Sequence, residues 1–181
     1  MIGACDWWSC MASYFFTLGV AGTLSLLILL SLLLTVFHEA GHYYAAKLCG
    51  IDSKEFALGR GPTILRVRAT PSGCKFALRM FPAGGMVTYD DRYCELGYAK
   101  RAFMSSAGWM MDVVVATVVI TVVVLLGVTG PLITFLCTLV GMRAVCNLLP
   151  ITDDGRKTIR YLWLAATERT HHAQFPGKSD A

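Results

Sequence analysis

Long apolar runs separated by polar stretches dominate the sequence. Residues 14–37 hold 24 consecutive positions without a charge, which gives about 36 Å of helix against a hydrocarbon core of about 30 Å. A second uncharged stretch, residues 113–142, contains Gly127 and Gly130-Pro131, where a helix is expected to break. The pattern therefore predicts three transmembrane helices, at about 14–46, 102–126 and 131–149.

Between the first two predicted helices, the pattern changes to an alternation of apolar and polar side chains. This alternation covers residues 63–69 and 74–81, which are separated by a Thr-Pro-Ser-Gly turn at 70–73. Such a pattern is typical of a β-hairpin. The glycine-containing residues 82–88 fit either a short edge strand or a loop. We therefore predict a small β-hairpin or sheet at about 63–88.

Basic residues are distributed unevenly along the chain. None of the 16 Lys and Arg precedes Lys47, ten lie in residues 47–101 and five follow residue 155. Because positive residues collect on the cytoplasmic side of a membrane, we expect the N-terminus outside and the β-hairpin in the cytoplasm. Helix three then returns to the cytoplasmic face. The compact size favours a bacterial-type cell membrane.

The last part of the chain has the pattern of a basic amphipathic helix. Ile159, Leu162 and Trp163 fall on one helical face, with Arg156 and Lys157 beside them. This predicts an interfacial helix at about 155–167. The fold class is therefore expected to be mainly α: a polytopic membrane protein with three transmembrane helices and a small cytoplasmic-side sheet, forming one membrane-embedded domain over residues 1–181.

Composition agrees with a membrane protein. The chain is 55% hydrophobic and only 15% charged, against about a quarter charged in soluble domains. Its seven cysteines are odd in number and form no CxxC pair, which argues against a disulfide framework or a thiolate zinc site. A bridge between Cys5 and Cys10, outside the membrane, is left open.

His38-Glu39-Ala40-Gly41-His42 stands at the inner end of the first predicted helix. Two histidines at i and i+4 share one helical face and can bind a single zinc ion, and Glu39 can act as general base on the water that zinc activates. The alternative is a set of interfacial polar groups satisfied by water or lipid headgroups. However, His38 lies about 13 Å deeper than Lys47 along the helix, where ionisable groups are costly without a partner.

A catalytic zinc ion needs a third protein ligand and an open position for water. Pro150 disrupts helix three and Gly155 permits an unusual backbone, so that either Asp153 or Asp154 can turn back toward the histidines. The alternative is an ordinary helix stop in which an Asp serves as N-cap. The three-span topology favours a ligand, because it returns this segment to the face that carries His38.

Asp112 is a further acid within the second predicted helix. It can serve as a proton or water relay, or as a partner that orients a ligating histidine. It can also be a simple acid near the start of the helix. The sequence leaves these three roles open.

Taken together, these motifs resemble the site-2 protease family of intramembrane zinc metalloproteases over about residues 14–160. Four segments resemble the family's signatures and occur in the family's order: HEAGH at 38–42 (HExxH), PAGGMV at 82–87 (PxGGxV), KRA at 100–102 with AG at 107–108 (KRA and AGP), and NLLP at 147–150 followed by DG at 154–155 (NxxP and DG). The resemblance implies zinc ligands at His38, His42 and Asp154. It further implies Glu39 as the catalytic base and Asn147 as a helper near the substrate or the oxyanion.

Three positions depart from the family's pattern. The gap from Asn147 to the Asp-Gly pair is one residue short and Arg156 replaces a second glycine, so Asp153 is a possible substitute ligand. Trp109 stands where the family has Pro, and Asp112 stands near where it has Asn. Helices two and three are nearly contiguous, which leaves no room for a PDZ-like module and implies a near-minimal member.

The sequence thus predicts an intramembrane zinc endopeptidase that cleaves a peptide bond within or near a transmembrane segment of a membrane protein or peptide. The expected partners are that substrate and the lipid bilayer, without nucleic acid, and a homo-oligomer or a regulatory partner is left open. The hairpin either captures the unwound substrate by strand addition or only caps the site. The alternative functions are a membrane metal transporter and an inactive scaffold of the same fold.

Overall fold

The computed structural model describes residues 7–68 and 73–174, and these residues are mainly helical, as predicted. The proposed bridge to Cys5 falls outside them. The helices and strands follow one another in the order α1 (Trp7–Leu48), β1 (Ser53–Arg68), β2 (Lys75–Tyr89), a 3-10 turn (Asp91–Glu95), α2 (Tyr98–Leu125), α3 (Pro131–Leu148) and α4 (Asp153–Gln174).

Three helical segments are long and apolar enough to cross a membrane. They are Gly19–Leu48 within α1, Tyr98–Leu125, which is α2, and Leu132–Glu168, a range that covers α3 and much of α4. Their outer faces carry exposed apolar side chains such as Val20 and Leu125, which is the surface expected of helices that meet lipid instead of water. Helices α1, α2 and α3 overlap the spans predicted at 14–46, 102–126 and 131–149. Helix α4 extends beyond the predicted 155–167 at both ends.

The two strands form one small antiparallel sheet with an irregular register. Arg66 lies opposite Ala77, which is the hairpin pairing that the alternation indicates, while Ala57 lies opposite both Ala77 and Met86. The first half of β1 is therefore flanked by both halves of β2. The sheet begins at Ser53 instead of 63, and of the two alternatives for residues 82–88 the structure shows a strand, since they belong to β2.

The alternation of apolar and polar residues did not predict the first part of β1, residues 53–62, for a physical reason. Phe56 and Ala57 are neighbours in the strand and point to opposite faces, yet both are buried. A segment covered on both faces does not alternate between apolar and polar residues.

Two apolar clusters pack the helices together on either side of a polar layer. The first cluster consists of Ala45, Ala46, Ile51, Met104 and Ala107, and the second of Leu34, Ala116, Val140 and Ala144. Between them along α1 and α2 lies the polar layer, which we define as His38, Glu39, His42 and Asp112, all of them buried. Burial of four ionisable groups at one level of a helical bundle requires that they satisfy one another or a ligand.

Candidate metal centre

Two imidazoles and one carboxylate converge at the polar layer. The Nε2 atoms of His38 and His42 lie 3.0 and 3.2 Å from the same Oδ2 atom of Asp154. The three potential ligand atoms all lie within 4.8 Å of one another. The histidines reach this point because they are one helical turn apart on α1, and Asp154 reaches it from the first turn of α4.

The far side of each imidazole is held by a hydrogen-bond acceptor. Nδ1 of His42 lies 2.8 Å from the backbone oxygen of Met104, and Nδ1 of His38 lies 2.7 Å from Oδ2 of Asp112. A carbonyl or carboxylate oxygen can only accept, so both Nδ1 atoms carry the hydrogen and donate it. In the neutral rings, both Nε2 lone pairs then face Asp154.

This arrangement fits a metal ion. Two imidazole lone pairs and a carboxylate oxygen repel one another at these distances unless a proton or a cation lies between them. Two histidines and one carboxylate are also a common ligand set of hydrolytic zinc, with a fourth position left for water or substrate. The side chains of His38, His42 and Asp154 therefore suit zinc in number, type and orientation.

Gly108 on α2 keeps the region beside the two nitrogens free of side chains. A Cβ atom at Gly108 would lie 2.6 Å from Nε2 of His38 and closer still to Nε2 of His42. Any side chain here would displace both imidazoles. Packing against the two imidazoles thus explains why position 108, in the Ala-Gly pair at 107–108, is a glycine.

Of the two acids that the sequence left open as third ligand, Asp154 faces the histidines. Asp153 is 75% exposed at its side chain, and its Oδ1 accepts from Arg156 at 3.2 Å. The backbone oxygen of Asp154 accepts from the Ser105 hydroxyl on α2 at 3.2 Å. Sequence reasoning missed Ser105, since a pair of adjacent serines in an apolar helix, here Ser105 and Ser106, has no spacing that indicates a site.

Glu39 lies beside the converging ligands, at the wall of a cavity of about 700 Å³. It is buried, and a Cβ atom at Gly85 of β2 would lie 2.8 Å from its Oε1. The cavity is also lined by Met86 and Tyr89 of β2 and by Asn147 of α3. Burial raises the pKa of Tyr89 well above its ordinary value, so its phenol stays protonated and remains a potential donor at the cavity wall.

Asn147 and Asp112 are in direct contact, although they lie on different helices. Nδ2 of Asn147 donates to Oδ2 of Asp112 at 2.6 Å, and Nε of Arg143 lies 3.5 Å from Oδ1 of the same carboxylate. The sequence singled out Asn147 and Asp112 separately and did not single out Arg143 as a site residue. The sequence does contain an indication of a role for Arg143, because it is a lone basic residue inside the third predicted span.

Comparison with known proteins identifies the family. The sequence profile described as "Peptidase family M50" matches residues 25–142, well over half of the chain. The match includes HEAGH at 38–42 and ends before Asp154, so only the geometry described above bears on Asp154 as a candidate ligand.

Several curated proteins share parts of this sequence. A Xylella fastidiosa protein named "Putative zinc metalloprotease" is 37% identical over 86 residues, which cover 46% of this chain and 19% of that protein. The "Probable protease eep" of Enterococcus faecalis is 44% identical over 55 residues, 30% of this chain and 13% of that protein. The "Probable membrane metalloprotease ARASP2, chloroplastic" of Arabidopsis thaliana is 41% identical over 56 residues, 31% and 12% respectively.

The aligned parts of this chain thus span about a fifth or less of the length of these relatives. The three apolar helices and the membrane metalloprotease among the relatives support an integral membrane protein. The relatives' names and the cluster of two histidines and an aspartate indicate zinc as the metal. On the extent of the profile match, the chain belongs to peptidase family M50, the site-2 protease family of zinc metalloproteases.

Proposed function

We propose that this protein is an intramembrane zinc endopeptidase that hydrolyses a peptide bond within or near a transmembrane segment of a membrane protein or peptide. The observation that carries this proposal is the convergence of His38, His42 and Asp154 beside the buried Glu39. This site lies between helices long and apolar enough to span a bilayer, and it opens into a cavity of about 700 Å³.

The chemistry follows from the residues at the cavity wall. His38, His42 and Asp154 would hold the ion, which when bound would acidify water and polarise a carbonyl group. Glu39 accepts a proton from the attacking water and passes it to the leaving nitrogen, which is the work of a general base and then a general acid. Glu39 follows His38 directly in α1 and lines the same cavity as the three proposed ligands.

Asn147 is the proposed helper at the oxyanion. One N–H of its amide is directed at Asp112, which fixes the orientation of the amide plane. An amide has a second N–H, and Asn147 lines the cavity. That second N–H is the donor that we assign to the developing negative charge on the substrate oxygen.

The substrate is proposed to bind as an added strand at the edge of β2. A transmembrane helix shields its backbone in internal hydrogen bonds, so that cleavage requires local unwinding. Residues 85–89 pair with β1, and within the described residues the register gives them no partner on their other side. Several of them line the cavity that contains Glu39. An extended peptide on this edge would satisfy its backbone while lying next to the catalytic base.

The proposed orientation places this site near the cytoplasmic face and the N-terminus outside. The support is the distribution of charge, because the basic residues fall in the segment around β1 and β2 and in α4. Both segments flank the cytoplasmic end of the proposed spans. The substrate would then be cut close to its cytoplasmic end.

The test replaces Glu39 by Gln in the full chain, with zinc content and cleavage of a membrane substrate measured on the same preparation. We expect zinc to be retained and the cleavage rate to fall about 10²- to 10⁴-fold, the range for loss of a general base. Glu95→Gln, in the exposed 3-10 turn, is the matched control and should leave both values unchanged.

Three outcomes would contradict the proposal. Unchanged cleavage by Glu39→Gln would exclude Glu39 as the base. A wild-type protein that binds zinc and moves it across vesicle membranes without breaking a peptide bond would instead be a metal transporter, while binding with neither flux nor cleavage would indicate an inactive scaffold.

A further inference from the structure

We propose that Asp112 is a positioning residue, which holds the His38 imidazole in the tautomer and orientation that the metal requires. This inference rests on the proposed zinc site and assigns Asp112 a role beyond orienting the Asn147 amide. Arg143 and Asn147 complete the arrangement by holding Asp112 in turn.

Asp112 is the common acceptor for groups from two other helices. Its Oδ2 accepts from Nδ1 of His38 on α1 at 2.7 Å and from Nδ2 of Asn147 on α3 at 2.6 Å. Its Oδ1 faces Nε of Arg143 on α3 at 3.5 Å. The Asp112 side chain is only 2% exposed, so these protein groups and not bulk water satisfy it.

The charge of Asp112 is compensated where it lies. A buried carboxylate inside an apolar helical bundle is costly without a counter-charge, and Arg143 supplies one. Oδ2 of Asp112 already accepts from Nδ2 of Asn147, a group that can only donate. The same oxygen therefore accepts from Nδ1 of His38, and Nε2 is left free for the metal.

The two histidines are held by acceptors of different strength. His42 donates to the neutral backbone oxygen of Met104, whereas His38 donates to an anion. Hydrogen bonds to charged acceptors are roughly twice as strong as those between neutral groups, and a carboxylate behind a ligating histidine increases its basicity. Asp112 should therefore make His38 the better electron donor of the two.

Asp112 also prevents rotation of the imidazole. His38 is buried in the helical bundle, and its Nδ1–H is directed at Oδ2 of Asp112. If Asp112 is removed, the ring can turn until Nδ1 finds another partner, and Nε2 no longer faces Asp154. The loss should therefore appear in metal binding itself and not only in the cleavage rate.

The test compares Asp112→Ala, Asp112→Asn and Ser106→Ala in the purified full chain. Ser106 is a matched control, because it is a buried polar residue on α2 whose hydroxyl bonds within its own helix, to the oxygen of Phe103. Two quantities are measured: the zinc dissociation constant by competition with a chromophoric chelator, and the visible absorption spectrum with Co²⁺ in place of zinc.

We expect Asp112→Ala to weaken zinc binding about 10- to 100-fold, the usual effect of removing the partner of a ligating histidine. Asp112→Asn keeps one acceptor oxygen but turns an N–H₂ group toward Arg143, so its loss should be about tenfold, at the lower end of that range. Both variants should change the Co²⁺ spectrum. Ser106→Ala should match the wild type in both measurements.

A purely structural role gives a different result. Asp112→Ala and Asp112→Asn would then lower the thermal midpoint of the metal-free protein while zinc affinity and the Co²⁺ spectrum stay at wild-type values, and this would overturn the proposal. If Asp112→Ala does not fold, Asp112→Asn decides alone, because it preserves the shape of the side chain. A wild-type chain that binds no zinc would refute the proposed function, whereas a zinc-binding, active wild type with unaffected Asp112 variants would refute only the positioning role.

Discussion

Acidic and basic groups pair in two regions of this molecule, at similar separations but with very different exposure to solvent. In the polar layer, His38 and Asp112 are 2.7 Å apart with side chains 8% and 2% exposed. Beside the sheet, Lys54 and Asp91 are 2.9 Å apart with side chains 51% and 99% exposed. Water can replace a lost partner in the second pair and cannot in the first. Burial and shared partners, and not the distance alone, therefore distinguish the pair in the polar layer from the pair beside the sheet.

The largest effect is expected on zinc affinity when two adjacent acids, the partly buried Asp154 and the exposed Asp153, are replaced in turn. Asp154→Asn removes the carboxylate that both imidazoles face. It should weaken zinc binding more than about 100-fold, beyond the loss seen when a partner only orients a ligand. Equilibrium dialysis against buffered zinc measures this change.

Asp153→Asn is the control for this comparison, since its side chain pairs only with the exposed Arg156 at the surface. We expect its zinc affinity to equal that of the wild type. If Asp153→Asn lost zinc and Asp154→Asn retained it, the assignment of the third ligand would be reversed.

Removal of the metal should have the next largest effect, because it leaves three electron-pair donors facing one another. At free zinc 100 times the dissociation constant, the folded chain should be stabilised by about 2.7 kcal/mol relative to the chelated protein. The thermal unfolding midpoint with and without chelator reports the difference. Asp154→Asn should show almost no shift, and a full shift in that variant would mean that zinc stabilises the chain from another site.

A third, smaller effect is expected from substitution of Gly108, which packs against the imidazoles of the polar layer. Gly108→Ala places a methyl group against both imidazoles, and overpacking of this kind costs about 1 to 3 kcal/mol of folding free energy. Zinc affinity should fall as well, because the rings must move. Gly141→Ala on α3 is the matched control, since a Cβ there meets nothing within 4 Å. Equal zinc affinity in the two variants would show that the imidazoles move without consequence.

The sequence was sufficient for much of the fold and part of the site. Uncharged runs of helical length predicted the candidate spans, because an apolar helix satisfies its own backbone. The i, i+4 spacing of His38 and His42 predicted a shared ligand position, since that spacing depends only on helix geometry. These features are local and can be recognised without knowledge of how the helices pack.

The remaining features depend on packing between distant parts of the chain. The choice between Asp153 and Asp154 depends on the rotation of α4, and the contact of Asp112 with Asn147 joins residues on two different helices. The early part of β1 lacks alternation because Phe56 and Ala57 are both covered. Resemblance to the family supplied the order of the motifs but not these contacts.

The smallest effect is expected on the free energy of unfolding, when two acids in or beside the sheet, Glu55 and Asp91, are replaced in turn. Glu55 accepts from Arg79 at 3.0 Å and pairs with Arg66 at 3.2 Å, and its side chain is 17% exposed. Glu55→Gln should therefore reduce the free energy of unfolding by about 1 kcal/mol, the upper end for pairs of this kind. Asp91→Asn should give no measurable change, because its carboxylate is almost fully solvated. Denaturant titration of the purified chain measures both values, and zinc affinity should be unchanged in each. A zinc loss in Glu55→Gln would show that the sheet is coupled to the metal centre, and the distinction between the two regions would then not hold.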